Sequence, residues 1–202
     1  MLCRVIVVDA YDSFVHILVE YFEKLGCLVT VYRKDDPHLH DAIKSDACDM
    51  IVLGPGPGHP SESGYAQILE ANLRSLPVLG VCLGHQAIGL YYDCKIEYAQ
   101  NLMHGKQSLI THDGSGCFKS YGDKPFLGMR YHSIIVSDVD LPSSIEVTAR
   151  SDGDGYVMGL RHKTHPIEGI QFHPESIGTD FGINILRNFI DAYIHKTEGE
   201  NV

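Results

Sequence analysis

The sequence predicts an α/β protein: an open, mostly parallel sheet with helices on both faces, followed by short antiparallel strands. Three observations carry this. Short apolar runs alternate with helical stretches through the first half. One of those runs ends in a glycine-flanked turn, Gly80-Val81-Cys82-Leu83-Gly84, that opens a helix. In the second half the rhythm changes to brief strand-like stretches separated by Gly- and Asp-rich turns.

The elements follow in order. Arg4 to Val8 is a near-continuous apolar run ending at Asp9, the pattern of a parallel strand buried on both faces. Phe14, Ile17, Leu18, Tyr21, Phe22 and Leu25 recur at the spacing of one helical face. Asp12 or Ser13 can cap that helix and Gly26 can end it. Leu28–Tyr32, Met50–Leu53 and Pro77–Val81 supply three more strands with helical stretches between. Ser108–Thr111, Tyr131–Val136, Ile145–Ala149, Tyr156–Leu160 and Ile167–Phe172 read as short strands and suit antiparallel additions. A last amphipathic helix presents Ile185, Leu186, Phe189, Ile190 and Tyr193 on one side. One domain over residues 1–195 is expected, with a solvated tail from Lys196 to the end.

Composition narrows the function classes. The 202 residues carry a net charge of −10, with 26 acidic against 16 basic side chains and no basic run, which argues against nucleic-acid binding. No apolar run is long enough to span a bilayer. The six cysteines include no C-x-x-C pair, so a zinc ribbon or thioredoxin-like motif is not indicated. Met1-Leu2-Cys3-Arg4 leads directly into a strand without a signal peptide, so a cytoplasmic chain with reduced thiols is expected.

The chemistry is carried by few residues. Cys82 sits where a strand turns into a helix, the thiol counterpart of a nucleophile elbow. A helix N-terminus favours thiolate, and the Leu83 amide beside it suits an oxyanion. A buried structural cysteine is the bland alternative. His173 and Glu175 follow a strand, with Pro174 fixing the path between them, and a carboxylate near an imidazole sets its tautomer. An exposed strand-end turn is the alternative, as is an H-x-E metal site, although no third ligand has compelling spacing. The loop Gly54-Pro55-Gly56-Pro57-Gly58 follows the third strand, at the sheet edge where open α/β folds contact ligands. It lacks the Lys and Ser/Thr of a phosphate loop. A rigid turn with no ligand is the competing reading.

Gly54–Gly58, Gly80–Ile88, Met103-His104-Gly105-Lys106, Arg130-Tyr131-His132-Ser133 and Gln171–Ser176 occur in one order along the chain. In that order they resemble class I (triad-type) glutamine amidotransferases, most closely the small glutaminase subunits of anthranilate synthase and aminodeoxychorismate synthase. The resemblance runs from Val5 to about Ile190 and implies a flavodoxin-like core. It also implies that Cys82, His173 and Glu175 form a triad hydrolysing L-glutamine through a γ-glutamyl thioester. Gly56 and Leu83 would supply oxyanion amides. Pro57 lies within the same loop, and Gly58 would close the pocket. Gln86 and the Ser133-Ile134 backbone would hold the substrate. His104, Gly105 and Lys106 would face a chorismate-binding synthase subunit that receives ammonia. No cofactor and no metal are implied.

The chain departs from the family pattern in places. Asp9-Ala10-Tyr11-Asp12-Ser13-Phe14 carries alanine where relatives carry asparagine, and Tyr91-Tyr92-Asp93-Cys94-Lys95 stands where they tend to have a glycine pair. Gly54 replaces a more usual small polar residue. The competing functions are the glutaminase of another synthetase, such as those making GMP or carbamoyl phosphate, and a regulatory subunit without turnover. A simple peptidase or esterase ranks last, because it leaves the other motifs unexplained.

Overall fold

The computed structural model describes residues 2–46, 48–72 and 75–195. The expected tail from Lys196 lies outside them. Nine strands form a single sheet: β1 (Arg4–Asp9), β2 (Leu28–Arg33), β3 (Met50–Leu53), β4 (Val78–Val81), β5 (Ile96–His112), β6 (Phe126–Val136), β7 (Ile145–Ser151), β8 (Val157–His162) and β9 (Ile167–Ile170). Five helices accompany them: α1 (Val15–Lys24), α2 (Leu39–Lys44), α3 (Tyr65–Ala71), α4 (Leu83–Tyr91) and α5 (Ile183–Tyr193). The strand order is β2-β1-β3-β4-β9-β8-β7-β5-β6.

Strands β2, β1, β3, β4 and β9 run parallel, and β8, β7, β5 and β6 extend the sheet antiparallel. The alternation of β1 explains the two layers. Val5 and Val7 face α1 and α5, packing with Leu18, Phe22, Ile185 and Phe189. Ile6 and Val8 face the other side, with Leu39, Ile43, Ile68 and Ile88 of α2, α3 and α4.

Three expectations need correction. The segment Ile167–Phe172 suits an antiparallel addition by its pattern, but β9 pairs parallel with β4 and antiparallel with β8. Its four buried residues place it inside the sheet, where both faces are covered. The strands at Ser108–Thr111 and Tyr131–Val136 are parts of a long ribbon in which β5 has 17 residues and β6 has 11. Much of that ribbon is solvent-facing, so its apolar pattern is diluted and its length is not legible. Finally, Phe14 does not lie on the buried helical face. It precedes α1, is 44% exposed, and stacks on Tyr131 with ring centroids 6.1 Å apart. Phe14 itself stands at the N-cap in place of the expected Asp12 or Ser13, without a side-chain cap bond, and the Asp12 carboxylate accepts its N–H at 2.7 Å ahead of the helix.

Candidate active site

Cys82 joins β4 to α4 with φ +52° and ψ −97°, a conformation that a non-glycine residue rarely adopts and that is held by its surroundings. The turn needs its glycines for space. A Cβ on Gly80 would lie 2.5 Å from the Gly84 carbonyl carbon, and one on Gly84 would lie 2.1 Å from the Leu53 oxygen. The Cys82 N–H donates to Ile170 O at 2.9 Å, and the first helical bond is Gln86 N–H to Cys82 O. The amide of Leu83 belongs to the first turn of α4, whose N–H groups have no intrahelical acceptor.

The strand register brings the second piece of the site to the first. Val81 pairs with Ile170, so Cys82 and Gln171 leave neighbouring strands side by side. Gln171 Nε2 lies 3.6 Å from Cys82 Sγ, and Cys82 Sγ is 3.9 Å from Tyr131 O. His173, two residues beyond Gln171, is buried and anchored through its backbone: its N–H donates to Met129 O at 2.9 Å, and Thr179 Oγ1 donates to its carbonyl at 2.6 Å. His173 Nδ1 meets Glu175 Oε1 at 2.6 Å, with both side chains buried. Among the described residues, His173 Nε2 and Glu175 Oε2 have no hydrogen-bond partner. Burial works to lower the His173 pKa, but Cys82 and Glu175 outweigh it and hold the imidazole well above its ordinary value.

The other expected residues gather around this centre to different degrees. Gly56 faces the elbow: a Cβ there would sit 2.6 Å from the Ala10 Cβ and 2.9 Å from Leu83 Cδ2. Tyr65 Oη pins the loop by donating to Gly54 O at 3.0 Å, while Pro57 and Gly58 are exposed. Gln86 is buried, and its Nε2 is occupied, donating to Ile134 O at 2.9 Å and to Gln171 Oε1 at 3.1 Å. This chain of bonds runs from the backbone of β6 through Gln86 and Gln171 to the sulfur. Ser133 is exposed and Ile134 is half-buried. His104, Gly105 and Lys106 lie on the outer rim, all exposed, where the β5–β6 register shifts between His104 and Lys106. They reach the centre through one side chain: the Tyr131 ring is edge-on to His104 at 5.7 Å and to His173 at 5.3 Å. Among the described residues, no group of three or more His, Cys, Asp or Glu is placed to hold a metal ion.

Two residues gain a role only from the fold. Gln171 stands in the sequence as one member of a motif, yet its place just past the end of β9, beside Cys82 at the end of β4, brings its amide to the sulfur. Arg130 is fully buried within β6, bonded to Asp154 at 2.9 Å, Ser108 Oγ at 2.8 Å and His132 Nε2 at 3.0 Å. A buried cation needs such a complete set of partners, and that set fixes the backbone on either side of Tyr131.

Two buried histidines near the elbow set an acid limit on the fold. His85 is fully buried and burial pushes it down to about 4. Burial, reinforced by the charge of Arg130, pushes His132 down to about 3. Both are neutral in the fold, whereas in the unfolded chain they take up protons from about pH 6.5 downward. Their contribution is therefore complete above that pH and is lost as pH falls toward the folded values. At pH 5 the His85 share of the loss is about 2 kcal/mol. His85→Met, of similar volume and without the titration, should show a shallower fall in thermal midpoint between pH 7 and pH 5. An unchanged slope would show that His85 does not carry the effect.

The fold sets a thiol elbow beside a paired imidazole and carboxylate on one α/β sheet, and comparison with known proteins shows the family. The family profile described as Glutamine amidotransferase class-I matches residues 6–192, and the chain belongs to that family. It is 43% identical over 206 residues to the bifunctional protein TrpGD of Thermotoga maritima, covering 99% of this chain but 34% of that protein; the chain thus spans about a third of that relative. It is 42% identical over 190 residues to the aminodeoxychorismate/anthranilate synthase component 2 of Bacillus subtilis, covering 94% of this chain and 96% of that one. Among solved structures, a Thermoplasma acidophilum protein named for GMP synthase superposes with a TM-score of 0.82 at 24% identity, over 94% of this chain and 93% of that one. That likeness speaks to the fold.

Proposed function

We propose that this chain is the glutaminase component of a chorismate-aminating synthase, supplying ammonia to a larger synthase chain for anthranilate or aminodeoxychorismate formation. The observation that carries the chemistry is the strained Cys82 elbow beside a buried His173–Glu175 pair with a 2.6 Å contact. Cys82 attacks the side-chain amide carbon of L-glutamine. His173 takes up the thiol proton and delivers it to the departing ammonia, and Glu175 keeps the imidazole in the right tautomer and stabilises its cation. The raised His173 pKa, with Cys82 and Glu175 outweighing burial, supports an imidazolium held beside Glu175. The amides of Gly56 and Leu83 receive the oxyanion, and water then releases glutamate from the γ-glutamyl thioester. Gln86 acts chiefly by holding the Ile134 backbone and Gln171, which is how the Ser133-Ile134 stretch is presented to substrate. The exposed His104-Gly105-Lys106 rim is the surface for the synthase partner, and the component 2 name of the Bacillus subtilis relative supports the existence of such a partner. Cytoplasmic residence fits Cys3, Cys27, Cys82, Cys94 and Cys117 standing as reduced thiols.

Free ammonia is largely protonated at neutral pH and then not nucleophilic, so release beside the acceptor is chemically useful. The test is glutamate release from glutamine by the chain alone and with a chorismate-binding synthase chain, with the aromatic product identified. Release that rises sharply with the partner, matched by anthranilate or aminodeoxychorismate, is expected. Equal release with and without the partner would rule out the coupling. Partner-stimulated release without an aromatic amine would move the acceptor to another synthetase.

A further inference from the structure

We propose that Cys3 and Cys27 form a peroxide-reactive dithiol separate from Cys82, in which Cys27 is the attacking sulfur and Cys3 the resolving one. The parallel register of β1 and β2 begins with Arg4 opposite Leu28 and continues with Val5 opposite Val29. One residue earlier, Cys3 stands opposite Cys27, and the Leu28 N–H donates to Cys3 O at 2.8 Å to hold that alignment. Register partners in a parallel pair project to the same face, and both cysteines pack in the same core layer as Val5 and Val7. Neighbouring strands lie about 4.8 Å apart, within the range of Cα separations that a disulfide spans, about 4.4–6.8 Å.

The two sulfurs are not equivalent. Cys27 sits in the turn after Gly26, with its N–H bonded to Phe22 O at 3.0 Å, and is the more exposed of the pair at 9% against 5%. The interaction between the thiols, reinforced by burial, pushes Cys3 strongly up, and the same interaction pulls Cys27 down. Cys27 is also the sulfur nearer solvent and the one a hydroperoxide reaches first. Burial likewise pushes the Cys94 thiol up to about 11 and Cys117 well above its ordinary value, and neither has a neighbouring thiol to offset it.

The chemistry balances with a hydroperoxide as oxidant. The Cys27 thiolate attacks one peroxide oxygen, the O–O bond breaks, and hydroxide leaves, giving a sulfenic acid. The Cys3 sulfur then attacks the Cys27 sulfur; the S–S bond forms as the S–O bond breaks, and water leaves with the Cys3 proton. Two thiols lose two electrons and the peroxide gains them. The resulting bridge closes the segment that carries β1, the Asp9–Phe14 loop and α1.

The test uses the unmodified chain, treated with one equivalent of hydrogen peroxide, alkylated, digested with trypsin and mapped without reduction. The peptides ending at Arg4 and running from Leu25 to Arg33 should be joined, and dithiothreitol should separate them. Recovery of both as separate alkylated peptides, while Cys82 is oxidised, would overturn the proposal. The roles are read from two conservative variants with dimedone as sulfenic-acid trap. Cys3→Ser should accumulate the adduct at Cys27, whereas Cys27→Ser should leave Cys3 alkylatable after peroxide. The reverse pattern would overturn the assignment of attacking and resolving sulfurs.

Discussion

Cys82→Ala is expected to lower glutamine-dependent turnover by roughly 10⁴-fold or more, because it removes the atom that forms the thioester. The remaining groups cannot replace it: His173 lacks a nucleophile to activate, and the oxyanion amides stabilise a charge that no longer develops. Two companion measurements make the result specific. Supplying ammonium salt at alkaline pH should restore aromatic amine formation by the complex, since the acceptor chemistry is untouched. Binding to the synthase chain should be unchanged, since Cys82 is buried and adds nothing to the exposed surface of His104, Gly105 and Lys106. Glutamine-dependent synthesis surviving the substitution would disprove the nucleophile assignment, and so would a loss of ammonium-dependent synthesis with binding intact.

The second large effect comes from a residue outside the triad. Gly182 begins α5, and a Cβ added there would lie 1.9 Å from the Pro174 carbonyl oxygen and 2.7 Å from its carbon. Its φ of −55° suits any residue, so the requirement is space alone. Gly182→Ala must push the backbone of Pro174 or the start of α5 away. A displacement of packed backbone by that amount should lower stability by about 3–5 kcal/mol, or roughly 10 °C in thermal midpoint. Activity should fall further than the folded fraction does, because Pro174 lies between His173 and Glu175 and their contact spans it. A variant with wild-type activity per folded molecule would show that the turn absorbs the shift without disturbing the pair.

Much of the parallel half is legible in the sequence because β1, β3 and β4 are buried on both faces and so carry near-continuous apolar runs. Arg4–Val8, Met50–Leu53 and Pro77–Val81 appear in the fold within a residue or two of where their apolar runs place them. The Cys82 turn and the His173-Pro174-Glu175 turn are legible for another reason: glycine and proline restrict the backbone at stated positions, and the chemistry needs those residue types together. What sequence does not supply is pairing. Nothing in Ile167–Ile170 distinguishes a strand that is parallel on one side and antiparallel on the other from a simple hairpin member. Gln86 illustrates the same limit at the site, since only the fold reveals that its amide nitrogen is committed to Ile134 and Gln171. The exposed ribbon of β5 and β6 is longer than its sequence suggests because a solvated strand carries little apolar signal.

The place of β9 has a consequence for biosynthesis. It fills the gap between β4 and β8, yet among the nine described strands of this sheet it is the last to be made. Until it arrives, β4 presents an unpaired edge with Cys82 at its end, and neither His173 nor Glu175 is present. A nascent or truncated chain therefore holds a reactive thiol with no partner to activate it and an open edge suited to mispairing. Completion of the sheet and assembly of the reacting groups are one event. The chain begins to consume glutamine only once its keystone strand is seated.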